Sequence, residues 1–232
     1  MLHNKKIMII TDSVSMPRAE VPYEKTWISM LKESLPGYDV MDRSARGSTS
    51  TRLISEGGGG TDLLETYMPG IVILQIGMTE CAPRLFRKKG IESFFIKKII
   101  PRKLLSSYIN YIKRTRGRNP EITDVPPEQY KYNLNNFAAR CSKINSKLII
   151  VNILNPSELF ISKSPGVKRN IDLYNRISEE IACGYSNVHI VNPAEGIVNI
   201  DSICLDELHI NAEGHMIYFK KIADALRLIY PV

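Results

Sequence analysis

Two short stretches of the 232-residue chain carry residue types that can do covalent chemistry. Thr11-Asp12-Ser13 closes the apolar run Lys5–Thr11. A serine placed just after a strand, with a helix N-terminus behind it, has backbone N–H donors and the positive end of a dipole at hand for a developing oxyanion. Asp and Ser are also the residues that cap strand-to-helix turns, so the tripeptide alone leaves both readings open. Near the other end, Leu205-Asp206-Glu207-Leu208-His209 sets a carboxylate three residues before an imidazole, in a loop ahead of the last helical stretch. That spacing lets Asp206 reach the ring Nδ1, fix the tautomer and support the imidazolium, as a base serving a serine nucleophile requires. The alternative is that Asp206 caps a turn while His209 lies on the surface. Taken together, Ser13, Asp206 and His209 predict acyl chemistry through an activated serine.

The elements that must position these residues read as an alternation. Lys5–Thr11, Tyr38–Met41, Ile71–Ile76, Lys147–Ile153 and Val188–Val191 are short apolar runs that predict buried strands. Helical periodicity covers Tyr23–Leu35, parts of Ser48–Leu64, Ile91–Ile112, Pro127–Ser142, Asp172–Cys183 and Ala212–Leu228. Strands alternating with helices predict an α/β fold with a parallel sheet covered on both faces. Ligands of such sheets bind beyond the carboxyl ends of the strands. This points to Thr11–Ser13, Arg43–Ser48, Gly77–Arg84, Asn155-Pro156 and the segment before the last helix.

With those positions marked, the chain resembles the SGNH (GDSL-like) hydrolase family. Thr11-Asp12-Ser13 resembles the family's Gly-Asp-Ser, and Asp206-Glu207-Leu208-His209-Ile210-Asn211-Ala212-Glu213-Gly214-His215 resembles its C-terminal Asp-x-x-His segment with the usual continuation. Asp42–Thr49 is placed like the second motif, and Gly77-Met78-Thr79-Glu80 like the third, Gly-x-Asn-Asp. Cys81-Ala82-Pro83-Arg84 resembles members encoded among bacterial surface-polysaccharide genes. The resemblance implies a three-layer, flavodoxin-like parallel sheet as one domain over 1–232, with 84–145 as a helical insertion. It implies Ser13, Asp206 and His209 as the triad, and the Ser13 and Gly47 backbone N–H groups as oxyanion donors. Thr79 stands where the family has an oxyanion-binding asparagine, and losing one such donor typically costs ~10²–10³ in rate. Asp12, Arg84 and Asn155 are the candidate substrate contacts. Arg84 could hold a carboxylate or phosphate bidentately, or form an ion pair with Glu80 or another loop acid.

The remaining features bound the function. Twelve Lys/Arg and one acid, Glu92, lie between Arg84 and Arg118, so this stretch carries +11 and the rest about −4 of the chain's net +7. Apolar residues interleave with these charges, a pattern that suits an anionic membrane surface, an acidic glycan or a nucleotide-activated donor. No nucleic-acid recognition motif accompanies it. Cys81, Cys141, Cys183 and Cys204 form no C-x-x-C pair and read as free thiols of a reducing, cytoplasmic compartment. The run before Thr11 is too short to span a membrane and lacks a small-residue cleavage site. Gly57–Gly60 follows no strand and lacks a following Lys-Ser/Thr, which excludes a phosphate-binding loop. His215 and His189 read as structural, as does Tyr174. No metal and no cofactor is expected. The expected function is hydrolysis of an acylated, in the first instance O-acetylated, carbohydrate. The alternatives are an O-acyltransferase, with acetyl-CoA as donor and a surface polysaccharide or its precursor as acceptor, and a non-catalytic glycan-binding protein.

Overall fold

A computed structural model of the chain describes residues 5–54, 59–86, 94, 96, 98–115 and 119–229. Five strands, β1 (Lys6–Thr11), β2 (Asp39–Asp42), β3 (Ile71–Gln75), β4 (Lys147–Val151) and β5 (Val188–Val191), form one sheet in the order β2-β1-β3-β4-β5. Every neighbouring pair is parallel. β3 is buried along its whole length, as its unbroken Ile-Val-Ile-Leu run dictates for a strand covered on both faces.

The helices among the described residues are α1 (Trp27–Ser34), α2 (Thr51–Ile54), α3 (Gly60–Leu63), α4 (Met78–Cys81), α5 (Arg102–Thr115), α6 (Pro127–Lys143), α7 (Glu158–Lys163), α8 (Val167–Gly184) and α9 (Ala212–Ile229). α1 packs with α9, and α6 packs with α8 and α2. These two groups cover the two faces of the sheet, giving the expected three layers. Trp27, Tyr130, Phe137, Tyr174 and Tyr218 are the largest side chains sealed between helices and sheet.

Two helix starts differ from the periodicity. α1 begins at Trp27 rather than Tyr23, because Thr26 adopts extended geometry (φ −80°, ψ 148°) and its side chain accepts from the Ser29 N–H at 3.3 Å. That N-cap separates the preceding Tyr23–Lys25 turn from the helix. α8 begins at Val167 rather than Asp172, since Gly166 in left-handed geometry (φ 82°) turns the chain into it. Val167, Ile171 and Tyr174 then belong to one buried stripe. Within 84–145, α6 is a core helix with Tyr130, Leu134, Phe137 and Cys141 buried. Gly57 and Gly58 of the glycine run, and most of 87–97, lie outside the described residues.

Gly77 turns the chain out of β3 at φ 127°, a region that side chains rarely adopt, and a Cβ there would meet the Ile153 Cδ1 at 2.4 Å. Ile153 has little room to yield, because Asn175 holds its backbone through N–H to Oδ1 (2.8 Å) and Nδ2–H to C=O (3.0 Å). Gly77→Ala is expected to lower unfolding stability by about 1–3 kcal/mol, read from urea denaturation.

Candidate active site

β1 and β2 leave the sheet in one direction and β3 onwards continue on the other side of β1, so the order reverses between β1 and β3. The carboxyl ends at such a reversal splay apart and open a crevice. Ser13 follows β1 there, and Met78 and Thr79 follow β3. Together with Asp12, Val14, Ala82, Arg84, Phe160, Leu208 and His209 they line a cleft of about 190 Å³.

The turn that carries Ser13 is held from below. The Asp12 N–H donates to the Gln75 carbonyl at 3.1 Å, one residue beyond the β1–β3 ladder. The Asp12 Oδ1 accepts from the Val14 N–H (2.9 Å) and from Gln75 Nε2 (3.4 Å). Gln75 Oε1 accepts from the Ser15 hydroxyl, whose oxygen accepts from Trp27 Nε1 at 2.7 Å. A buried chain of hydrogen bonds thus runs from α1 to the Ser13 turn. Asp12 is completely buried, and burial pushes its pKa up to about 6, although the Val14 N–H and Gln75 pull the other way. Its side chain is turned into this chain of bonds, which makes it a positioning group rather than a substrate contact.

The base lies on the loop before α9. Leu205 N–H donates to the His209 carbonyl at 2.7 Å, and Cys204 bridges Ile210, closing a small loop. Inside it the Asp206 Oδ1 accepts from the Leu208 and His209 N–H groups, both at 2.8 Å. The His209 Nδ1 meets Asp206 Oδ2 at 2.8 Å, and its Nε2 faces the Ser13 Oγ at 3.3 Å. Partial burial works to raise the Asp206 pKa, but the two backbone donors and the His209 ring outweigh it and leave it below the usual range. With Nδ1–H donated to the carboxylate, Nε2 is the free acceptor for the serine proton. Asp206 and His209 are thus connected as their spacing predicted, and Ser13, far away in the chain, lies against the same imidazole.

The other candidates divide. Gly47 adopts φ 65° in the loop after β2, which is tied to β1 by Arg43 N–H to Ile9 C=O (2.8 Å) and Ala45 N–H to Thr11 C=O (3.0 Å). The N–H groups of Ser13 and Gly47 donate to no acceptor among the described residues. Thr79 lines the cleft and is half-buried. Arg84 also lines it, but its Nη2 donates to Asp124 and to the Thr79 carbonyl, both at 2.7 Å. Of the two roles open to Arg84, the ion pair with a loop acid is the one present, with Asp124 rather than Glu80 as partner. Asn155 lies elsewhere, in a polar pocket of about 360 Å³ beyond β4 and β5, beside Asn152, Asn175 and Asn192. His215 is buried and its Nδ1 accepts from the Trp27 N–H at 3.3 Å, while burial and then the Arg18 charge press its pKa down to about 4. His189 stands on the edge strand β5, and the Tyr174 hydroxyl donates to the Val125 carbonyl. Among the described residues no three His, Cys, Asp or Glu side chains converge to hold a metal ion.

Two groups escaped the sequence. The Arg18 Nη2 donates to the Ser13 carbonyl at 3.1 Å. It feels the charges of both Arg46 and Asp206, so cations gather at the cleft from the β2 side as well as from Arg84. Glu80 is wholly buried and accepts from the Ser50 N–H at 2.6 Å, anchoring the loop after β3 to the loop before α2. The Arg18 bond to Ser13 spans five residues, whereas Glu80, offered by the sequence only in the third-motif stretch and as a possible partner of Arg84, acts on Ser50 thirty residues away. A second cavity, about 180 Å³, lies at the opposite end of the strands among Ile7, Leu31, Ile71 and Phe219. Its cation, Arg227, is tied to Asp224 at 2.8 Å, and it holds no nucleophile.

No protein-family model matches the sequence, and no curated protein matches it. Solved structures do share its fold. A psychrotrophic esterase from Pseudoalteromonas sp. has 16% identity, with 98% of this chain and 100% of that one covered and a TM-score of 0.60. A protein of the G-D-S-L family from Desulfitobacterium hafniense has 14% identity, coverage of 95% and 99%, and a TM-score of 0.60. An acetylxylan esterase from Geobacillus stearothermophilus has 14% identity, coverage of 94% and 92%, and a TM-score of 0.60. The chain thus has the α/β fold of the SGNH (GDSL-like) hydrolases over nearly its whole length.

Burial raises the Glu80 pKa from 4.5 to about 7, with the Asp12 and Asp124 charges adding to it and the Ser50 bond opposing. Between those pH values the folded chain holds a proton that the unfolded chain has lost, so stability falls as pH rises through the window. Glu80→Gln, which keeps the acceptor for Ser50, is expected to flatten that decline by an amount on the order of 3 kcal/mol, measured by denaturation at pH 5 and pH 8.

Proposed function

We propose that the chain is a serine-dependent ester hydrolase of the SGNH type that removes an acyl group, in the first instance acetyl, from a carbohydrate. The observation that carries this reading is the continuous relay from Ser13 Oγ through His209 to Asp206, at 3.3 Å and 2.8 Å, opening onto a cleft. In the first step Ser13 Oγ bonds to the acyl carbon while its proton passes to His209 Nε2. The carbonyl electrons move onto oxygen, within reach of the Ser13 and Gly47 N–H groups. Collapse breaks the ester C–O bond, and His209 returns the proton to the leaving sugar hydroxyl. Water, deprotonated by the same histidine, then releases the acid and restores Ser13. Asp206 stays ionised throughout and balances the imidazolium.

A carbohydrate ester is supported by the shared fold with an esterase of acetylxylan. An anionic substrate is supported by the charge at the mouth of the cleft. Arg84 is neutralised by Asp124, but Arg18 and Arg46 have no carboxylate partner among the described residues. Thr79 supplies only a short hydroxyl where an amide would reach further, which favours a substrate held tightly enough to make up for one weak donor.

A fluorophosphonate probe is expected to label the folded protein at Ser13, and Ser13→Ala to abolish labelling; an unlabelled wild type would defeat the enzyme reading. Asp206→Asn is expected to lower kcat by up to about 10⁴-fold with little change in KM, because the carboxylate acts on the imidazolium and not on the bound ester. Mass spectrometry of an acetylated and a plain glycan, incubated with and without acetyl-CoA, separates hydrolysis from transfer to a sugar hydroxyl.

A further inference from the structure

The relay from Ser13 to Asp206 handles the proton, but the negative charge that grows on the substrate carbonyl oxygen is short of a donor, because Thr79 stands at the asparagine position. The polar side chains that line the cleft are Asp12, Ser13, Thr79, Arg84 and His209. Asp12 is turned into the buried chain of bonds beneath Ser13, and Ser13 and His209 are engaged in the relay. Arg18 and Arg46 do not line the cleft. Among the described residues, Arg84 is then the lining side chain left with N–H groups to give.

Arg84 is fixed at both its main chain and its guanidinium. The main-chain N–H donates to the Ile122 carbonyl at 2.8 Å, and the carbonyl accepts from the Asn119 N–H at 3.0 Å. Nη2 donates to Asp124 Oδ2 and to the Thr79 carbonyl, both at 2.7 Å. The Asp124 N–H donates in turn to the Glu80 carbonyl at 3.1 Å, so the guanidinium and its counter-ion are both tied to α4, the helix that follows β3. The bond to the Thr79 carbonyl sets the guanidinium beside the residue whose side chain falls short. These side-chain bonds involve Nη2 alone. Nε is buried without an acceptor, and Nη1 meets none among the described residues. A buried donor without an acceptor is costly, and one at a reaction cleft is accounted for by an acceptor that forms during the reaction.

We infer that Arg84 is a catalytic residue: an N–H of its guanidinium donates to the oxyanion of the tetrahedral intermediate, in place of the asparagine that Thr79 replaces. The inference rests on the hydrolase reading. As Ser13 Oγ bonds to the acyl carbon and its proton passes to His209 Nε2, the carbonyl π electrons move onto oxygen and Arg84 donates to that oxygen. When the electron pair returns, the ester C–O bond breaks and His209 gives its proton to the leaving hydroxyl. The guanidinium keeps all its protons throughout. Asp124 cancels the net charge of Arg84, so what remains is a directed, charge-assisted hydrogen bond that is in place before the charge develops. A substrate carboxylate would have to compete with Asp124 for the guanidinium, whereas an oxyanion needs only an N–H that Asp124 leaves unused.

The test is the rate at which an alkyl fluorophosphonate without a charged group labels Ser13. Its phosphoryl oxygen takes up charge where the oxyanion would, and it carries no anion for an arginine to bind. Arg84→Gln is expected to slow labelling about 10²-fold, the usual effect of losing one oxyanion donor. Arg84→Lys keeps a cation against Asp124 but has no planar fork, and is expected to label as slowly as Arg84→Gln. The double variant Arg84→Gln/Asp124→Asn leaves no buried carboxylate unpaired, so it is expected to keep the fold by circular dichroism and to be equally slow. Labelling of Arg84→Gln or of the folded double variant at the wild-type rate overturns the inference and leaves Arg84 at most a holder of substrate anions. Full recovery with Arg84→Lys overturns it as well and assigns the arginine to the ion pair alone. A wild type that is not labelled defeats the hydrolase reading and the inference together, whereas a labelled wild type with unaffected variants defeats the inference alone.

Discussion

The hydrogen bond from the Asp12 N–H to the Gln75 carbonyl, 3.1 Å long, is the contact on which the site depends. It extends the β1–β3 ladder by one residue, past the point where the strand order reverses. Everything that follows β1 is thereby fixed relative to everything that follows β3. Ser13 and Thr79 line the same cleft because the register of Ile7–Thr11 against Ile71–Gln75 fixes the two strand ends relative to each other. The loop after β2 is laced to the same strand end through Ile9 and Thr11.

Electrostatics around the cleft is layered. Beneath it lie buried acids: Asp12 and Glu80, both with raised pKa values, and Asp124 against Arg84. Desolvation makes the ionisation of Asp12 and Glu80 costly, while Asp124 pairs with the Arg84 guanidinium. Above it lie Arg18, Arg46 and Arg84, of which only Arg84 is neutralised by a neighbouring carboxylate among the described residues. His209 stands between the two layers, its ring oriented by a carboxylate that its own loop holds.

Arg84, which lines the cleft, pairs with Asn119 in an isolated antiparallel bridge, so the two ends of the basic stretch meet beside Ser13 and His209. The folded body hides its apolar surface efficiently, with the central strands β1, β3 and β4 almost wholly inaccessible.

Much of this was legible in the sequence, and the reason is local. Strand runs such as Ile-Val-Ile-Leu, the helical spacing of Tyr174, Ile177 and Ile181, and the alternation of the two are set by burial on one face or both, which residue type alone records. The Asp206–His209 pairing was legible because three residues of loop suffice to close it. Tertiary structure alone decided what crosses the chain: that Ser13 meets His209, that Arg84 is occupied by Asp124, that Asp12 turns inward, that Asn155 lines a different pocket, and that Arg18 and Glu80 belong to the site at all. A charged side chain at a loop has several partners within reach of its sequence position, and only packing selects among them. The Asp206–His209 pairing was therefore written in residue types and spacing, whereas its meeting with Ser13 and the charge around them were written in the fold.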